Sequence, residues 1–376
     1  MSAAAARRRK QLLARQAEQE DAVGARLKTL LKEADDEATA YEALQLAQSQ
    51  VRKLVHSGDF AGATDLAYTS SLAILKKGRV SVASQLLQVL VEVLRETQTE
   101  PTDTWIGRIV ELHEAHQSAI GGATGLEINR LQRLQRDFLR RSVSWSADLG
   151  TIRFGHIRLH ELLGQQCWLL SLLDHTGDSD MEDIANLQCD AVTHMALAEK
   201  PDQILEWLKT LPKPNADQIK KGHTCPPGDR DALLTRSLLV FCSVENLRDA
   251  NILLPAYIDT VEERKIEDLT ASYVNKEDGM APSHCVFGSM LLRICEKDKR
   301  TGPLFQWLQR SFQRELDLLY KPQIIQSYTT KIGKVYFDIQ PPPSMMSMME
   351  NMMGMMGGGG MNPAMMQMMQ QGMQGM

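Results

Sequence analysis

GDFAGATDLAYTSSLAILKKGRVSVASQLLQVLVEVL, residues 58–94, holds the pattern that decides the fold of this chain. After the turn Ser57-Gly58-Asp59, small or apolar residues recur at every third or fourth position, which predicts a helix with one apolar stripe. These positions are Phe60, Ala63, Leu66, Ala67, Ser70 and Ile74. Lys76-Lys77-Gly78 suits the end of this helix, because cations favour the negative end of the helix dipole and glycine adopts a left-handed conformation.

The second half of the stretch predicts a helix that is apolar on more than one face. Its apolar residues are Val82, Leu86, Leu87, Val89, Leu90, Val93 and Leu94. Such a helix lies between neighbours on both sides, and a helical hairpin cannot bury its faces alone. The stretch therefore predicts an all-α protein in which further helical hairpins stack on this one.

Composition supports a helical protein of a reducing compartment. Only 5% of the 376 residues are aromatic, and no secretory signal or CxxC pair is present, so we expect buried thiols at Cys167, Cys189, Cys225, Cys242, Cys285 and Cys295. No apolar run reaches the roughly 18 residues that a membrane span needs. We expect a cytosolic protein, without stable membrane insertion and without nucleic acid as a partner.

The charge is unevenly distributed along the chain. Residues 1–32 carry a net charge of +5, whereas the whole chain carries −5. A basic N-terminal helix, predicted over about Arg9–Ala34, on an acidic body suggests a partner with an acidic surface. The alternative is a helix end whose charges only interact with water.

Composition shifts divide the chain into five predicted segments. We expect a basic N-terminal helix and entry to the solenoid at 1–40, an N-terminal helical-repeat half at 41–211, a Pro/Gly loop at 212–230, a C-terminal helical half at 231–340, and a disordered low-complexity tail at 341–376.

Within the C-terminal half, residue type predicts three local features. The polar segment Glu262–Pro282 favours an irregular or hairpin insertion. Pro303 and Pro322 suit the first turns of the last two helices. The first of these helices is expected to present Leu304, Leu308, Phe312, Leu316 and Leu319 to the core, and the second Ile325, Tyr328, Ile332, Val335 and Tyr336.

No motif predicts catalysis, a cofactor or a metal site. GGATG at residues 121–125 lacks the preceding strand and the Gly-Lys-Ser/Thr of a phosphate loop. His156 and His160 have the i, i+4 spacing of zinc ligands, but Ile157 stands where the zincin pattern needs Glu. His113 with His116, and His223 with Cys225, also lack further ligands. We expect these histidines to be packing or surface residues and the protein not to be an enzyme.

The C-terminal tail has the most unusual composition of the chain. From Ser344 it holds 15 of the 20 methionines, and Glu350 is its only charged side chain. Flexible, polarizable thioethers suit contact with the apolar segments of client proteins. The residues considered for this contact are Met345, Met346, Met348, Met349, Met352, Met353, Met355 and Met356. Copper(I) binding by pairs such as Met345-Met346 and Met365-Met366, or no ligand at all, are the alternatives.

Four segments together resemble the fourth Golgi-to-ER-traffic (GET) protein family. They are the hairpin Gly58–Leu94, FGHIRLHELL (154–163), LLVFCSVENLRDANILL (238–254) and KIGKVYFDIQPPP (331–343). The resemblance lies in their order and spacing and runs from about Ala25 to the tail. It implies a tetratricopeptide-like, right-handed α-solenoid that acts as a cytosolic adaptor in the targeting of tail-anchored membrane proteins and has no catalytic activity.

The resemblance also implies partners for each end of the solenoid. The N-terminal helices would bind the targeting ATPase, and the C-terminal helices would bind a ubiquitin-like-domain protein. A large chaperone-complex subunit would join in animals. On electrostatic grounds, we expect Arg15, Arg26, Lys28 and Lys32 to contact the ATPase. A generic helical-repeat scaffold, such as a proteasome-lid-type subunit, is the alternative function.

Two segments depart from the family pattern. Members tend to carry an acidic residue near the helix that follows the first hairpin turn, and Arg79–Gln85 contains none. The insertion Glu262–Pro282 also matches poorly the strand-like insertion that some members have near the ubiquitin-like partner.

Overall fold

The fold is a stack of α-helices. A computed structural model describes residues 22–122, 124–174, 181–211, 229–263, 265–275, 283–317 and 319–340. Its helices are α1 (residues 22–32), α2 (Glu37–Ser57), α3 (Phe60–Lys76), α4 (Val80–Glu96), α5 (Asp103–Ile120), α6 (Leu126–Leu149), α7 (Ile157–Asp174), α8 (Met181–Leu197), α9 (Pro201–Thr210), α10 (Arg230–Ser243), α11 (Leu247–Tyr257), α12 (Ile266–Asn275), α13 (Ser283–Cys295), α14 (Gly302–Ser311), α15 (Gln313–Asp317) and α16 (Pro322–Phe337). A π-helical turn, Ile258–Glu262, extends α11, and a short 3-10 turn, Lys299–Thr301, precedes α14.

The order of helix contacts is that of a solenoid. Helix α3 packs on α2 and α4, and the contacts α2 with α4, α3 with α5, α4 with α6 and α5 with α7 join each helix to the next but one. Such nearest-neighbour stacking is the packing of helical repeats. The prediction of an all-α solenoid is confirmed, and none of the described residues forms a β-strand.

The hairpin of α3 and α4 follows the local sequence closely. Gly58 ends α2 with a left-handed φ of 82°, and the side chain of Asp59 accepts a hydrogen bond of 3.0 Å from the Gly62 amide at the start of α3. Gly78, with φ 73°, makes the turn to α4. Helix α4 buries residues on several faces, as predicted. Phe60 is different: it is 47% exposed, so its predicted inward position is wrong.

Helix α10 lies at the centre of the C-terminal helices. Every residue from Arg230 to Ser243 is buried except the partly buried Asp231. The helix packs against α8 and α9, which precede residues 212–228 in the sequence. It also packs against α11, α13 and α16, which follow them. The apolar core is therefore continuous from α1 to α16. The predicted Pro/Gly loop falls mostly in 212–228, outside the described residues.

A buried ion pair fixes the start of α10. The Arg230 guanidinium contacts the Glu262 carboxylate at 3.2 Å, and the two side chains are only 8% and 12% exposed. The Tyr257 hydroxyl donates a hydrogen bond to Asp231. These contacts join α10 to the end of α11 and to the π-helical turn.

Three expectations about C-terminal and N-terminal elements are corrected by the structure. Residues 266–275 of the supposed irregular insertion form helix α12, whose Leu269 is fully buried. The helix that begins near Pro303 is interrupted at Phe312, whose φ of −108° departs from helical geometry, and α15 follows. The N-terminal helix ends at residue 32, before Ala34. Pro303 and Pro322 do lie in the first turns of α14 and α16.

Leu304 is the clearest error in the predicted core. Phe305 and Leu308 are buried, so their side of α14 faces the core. Leu304 lies on the opposite side, with 54% of its surface exposed. The other residues predicted for the interior of this region, from Leu308 to Leu319, are buried.

Candidate partner-binding surfaces

The predicted basic surface lies on α1. Leu27 and Ala34 are buried and hold this helix against the solenoid, whereas Arg26, Lys28 and Lys32 are exposed. Lys28 and Lys32 are one helical turn apart, so their side chains share a side of α1. Arg15 lies outside the described residues.

Acidic groups reduce the positive charge of this surface. Arg26 forms an ion pair with Glu42 of α2. At the α1–α2 turn, Asp35 contacts Lys77 at 2.7 Å, and its carbonyl oxygen accepts a hydrogen bond from Arg79. The structure thus brings Lys28 and Lys32 together as an exposed cationic pair, while the charge of Arg26 is compensated within the fold.

A groove lies between α12 and α13 in the C-terminal helices. Its volume is about 510 Å³, and it is lined by Ile266, Glu267, Thr270, Ala271, Val286, Ser289, Met290 and Arg293. The lining combines apolar side chains with the opposite charges of Glu267 and Arg293. A groove of this kind accepts the apolar side of a peptide or helix and orients its polar groups.

The sequence pattern does not reveal this groove. It predicts an irregular insertion where α12, one of the two walls of the groove, lies. Ile266 and Leu269 are three residues apart, and Glu267 with Asp268 supplies the acidic first turn that favours a helix start. These helix signals are confined to four residues, 266–269.

His113, His160 and His194 form hydrogen bonds within the fold rather than a ligand cluster. His160 donates through Nε2 to the carbonyl oxygen of Phe154 at 2.8 Å, and its Nδ1 lies 2.8 Å from Nδ1 of His194. Since neutral His160 then has only a lone pair at Nδ1, His194 must donate there. His113 bonds to Gln135, and His116 is fully buried. Among the described residues, no group of His, Cys, Asp and Glu has the geometry of a metal site.

Burial lowers the pKa of these histidines. The pKa of His113 falls to about 4 and that of His116 to about 3, because desolvation disfavours the imidazolium. The pKa of His160 is also lowered, and that of His194 lies well below the usual 6.5, for the same reason. His113 and His116 are therefore neutral in the folded protein near pH 5, whereas histidines of the unfolded chain are then protonated.

We therefore expect acid to destabilise the fold from pH 6.5 downward. Because the unfolded chain binds more protons in this range, the stability is complete above pH 6.5 and falls as the pH approaches 5. His113 and His116 each contribute about 2 kcal/mol to the loss of stability at pH 5. Urea unfolding at pH 7.5, 6 and 5 measures this loss of stability. His116→Leu should reduce the pH dependence; an unchanged pH dependence would contradict the assignment of His116.

The described cysteines are free thiols in the interior of the fold. Cys167, Cys189, Cys242, Cys285 and Cys295 are buried and free, as predicted, and Cys225 lies outside the described residues. Burial raises the pKa of the Cys167 thiol to about 12, so it stays protonated. In the described part of the chain, no helix is both long enough and apolar enough to cross a bilayer.

These features define an all-α helical-repeat scaffold. The sequence model of the GET4 family, "Golgi to ER traffic protein 4", matches residues 57–356. The chain belongs to this family, which acts as an adaptor in the GET pathway of tail-anchored protein targeting.

Individual relatives are distant in sequence. "Protein GET4" of Arabidopsis thaliana is 23% identical over 331 residues, which cover 82% of this chain and 89% of that protein. The "Golgi to ER traffic protein 4 homolog" of Gallus gallus is 24% identical over 143 residues, 38% of this chain and 42% of that protein. A crystal structure of C. therm. Get4 is 20% identical, with a TM-score of 0.49 over 90% of this chain and 96% of that one.

Proposed function

We propose that this chain is a cytosolic, non-enzymatic adaptor that promotes the handover of tail-anchored membrane proteins to the targeting ATPase. Its N-terminal helices bind the ATPase, and its C-terminal helices bind a ubiquitin-like-domain protein. The family match over residues 57–356 is the observation that carries this proposal. In animals, a large chaperone-complex subunit is a third proposed partner.

The cationic pair Lys28 and Lys32 supports the N-terminal contact. Both side chains are exposed on a helix whose Leu27 is anchored in the core, so the charges have a fixed position. The chain as a whole is acidic, with a net charge of −5, which makes a local cationic surface selective for an acidic partner. Arg26 contributes less in this proposal, because Glu42 already pairs with it.

The α12–α13 groove supports the C-terminal contact. It presents the apolar groups of Ile266, Ala271, Val286 and Met290 between two helices. An apolar segment of the ubiquitin-like-domain protein would bury these side chains from water, and burial of apolar surface is the main source of affinity in such grooves.

The continuous core explains how one chain would promote handover. Because helices from α1 to α16 pack into one apolar core, the two surfaces are held on a single scaffold. Holding the ATPase and the ubiquitin-like-domain protein on this scaffold turns their encounter into an intramolecular event and raises their effective concentration.

Direct binding measurements with two charge-reversal variants test the N-terminal contact. We expect Lys28→Glu with Lys32→Glu to weaken binding of the purified ATPase at least about tenfold at low salt, and less at high salt. Lys297→Glu with Lys334→Glu, two exposed lysines near the other end, is the matched control and should bind as the parent protein does.

The same measurements with the ubiquitin-like-domain protein test the C-terminal contact. Ala271→Glu with Met290→Glu places charges in the groove and should abolish this binding while ATPase binding persists. If the unaltered protein binds neither partner, the proposed function fails and a generic helical-repeat scaffold replaces it. If groove variants bind normally, the groove is not the interface.

A further inference from the structure

An apolar patch lies on the outer side of α14. Leu304 and Trp307 are three residues apart, so they are neighbours on the helix, and 54% and 55% of their respective surfaces are exposed. Pro303 is exposed beside them. Phe305 and Leu308 hold the opposite side of α14 in the core. We call Pro303, Leu304 and Trp307 the α14 patch.

The described chain ends near the first turn of α14, where the patch begins. The Ile339 amide donates a hydrogen bond to the Gly333 carbonyl at 3.0 Å, and Phe337 stacks on Phe305 with ring centroids 4.9 Å apart. Lys299, just before α14, contacts Asp338 at 2.5 Å. A Cβ placed on Gly302 would lie 3.8 Å from Cδ1 of Ile339. Several contacts therefore fix the point from which the tail continues, at the first turn of α14.

The tail that continues from this point has suitable length and chemistry. Trp307 lies about 7.5 Å along the helix from Gly302. The six residue-to-residue steps from Ile339 to Met345 can span about 20 Å. From Ser344 onward the tail holds 15 methionines and one charged side chain. Methionine fills irregular apolar surfaces and makes favourable sulfur contacts with aromatic rings.

We propose that the methionine-rich segment 344–376 docks on the α14 patch of its own chain. The methionine side chains cover Leu304 and contact the Trp307 ring, and the tail competes with any other apolar segment for this surface. The covalent connection favours the tail over free ligands, since a short linker gives an effective concentration in the millimolar range. This proposal is independent of the proposed function, because it concerns only two parts of one chain.

Acrylamide quenching of tryptophan fluorescence tests the proposal. Trp307 is the most exposed of the five tryptophans, since Trp105 is partly buried and the other three are buried. The quenching of full-length protein is compared with that of a 344–376 deletion. Each protein is also measured with Trp307→Phe, and the difference between the two measurements gives the contribution of Trp307. We expect the quenching constant of Trp307 to be at least about twofold larger in the deletion, at every protein concentration.

Two results would overturn the proposal. Equal quenching of Trp307 in both proteins would show that the tail does not cover the patch. Protection that increases with protein concentration would show that the tail, or another surface, docks on a second copy.

A second measurement observes the tail directly. In full-length protein labelled with ¹³C-methyl methionine, Leu304→Ser should sharpen the tail methyl signals, because the tail loses its apolar contact. Leu304 is exposed, so this change leaves the core intact. Leu126→Ser is the matched control, since Leu126 is 87% exposed on α6. Tail signals that are unchanged by Leu304→Ser would contradict the proposal.

Discussion

Arg230→Met is expected to reduce the free energy of unfolding by about 3–5 kcal/mol, because it leaves the buried carboxylate of Glu262 without its cation. The two groups are 3.2 Å apart, and both side chains are almost completely removed from water. The loss measures the penalty of an unpaired buried charge rather than the strength of the pair. Urea unfolding followed by circular dichroism at neutral pH gives the value.

Two further variants separate this penalty from a simple loss of packing. Arg230→Met combined with Glu262→Leu removes both charges and should recover most of the lost stability. Lys209→Met breaks the exposed pair with Glu206 and should change stability by no more than about 1 kcal/mol. If Arg230→Met were as mild as Lys209→Met, the pair would not be buried in solution.

Phe241→Ala is expected to destabilise the protein by about 3–5 kcal/mol. Phe241 is fully buried in α10, which helices pack around on several sides, so the surrounding structure cannot easily collapse into the space left by the ring. A shift of the urea midpoint with an unchanged slope is the expected observation.

Phe60→Ala provides the matched comparison for this core substitution. The same group is removed, but Phe60 is 47% exposed at the first turn of α3. We expect a loss of less than about 1 kcal/mol. Similar losses for Phe60→Ala and Phe241→Ala would contradict the burial difference between the two rings.

The elements that the sequence predicted best are those whose information is local. The hairpin of α3 and α4 is set by apolar spacing, by the Asp59 cap and by glycines at two left-handed turns, all within a few residues. Phe60 followed the apolar spacing but is exposed, because a residue in the first turn of a helix needs a neighbouring element to cover it, and spacing does not reveal that element.

The errors in the C-terminal region have the same origin. Helix α12 is only ten residues long, and its buried Leu269 depends on packing against α13, the helix that follows it in the chain. The interruption at Phe312 is likewise a matter of tertiary packing, since apolar spacing continues through it. Periodicity shows which residues could be buried together, but not which helices meet.

The candidate surfaces were predictable to different extents. The excess of positive charge near the N-terminus is visible in a residue count, so Lys28 and Lys32 could be proposed from sequence. The pairing of Arg26 with Glu42 required knowledge of how α1 lies on α2. The α12–α13 groove and the α14 patch depend on which sides of three helices remain uncovered, and such information appears only after the helices are packed.

The packing of α10 also governs what would happen to a divided chain. A cut between residues 211 and 229 would leave α8 and α9 on one polypeptide and α10 and α11 on the other, although these four helices share one apolar interface. Each half alone would expose apolar side chains to water, whereas the two together would bury them again. The halves are therefore complementary fragments, and non-covalent packing would hold them together without the peptide link.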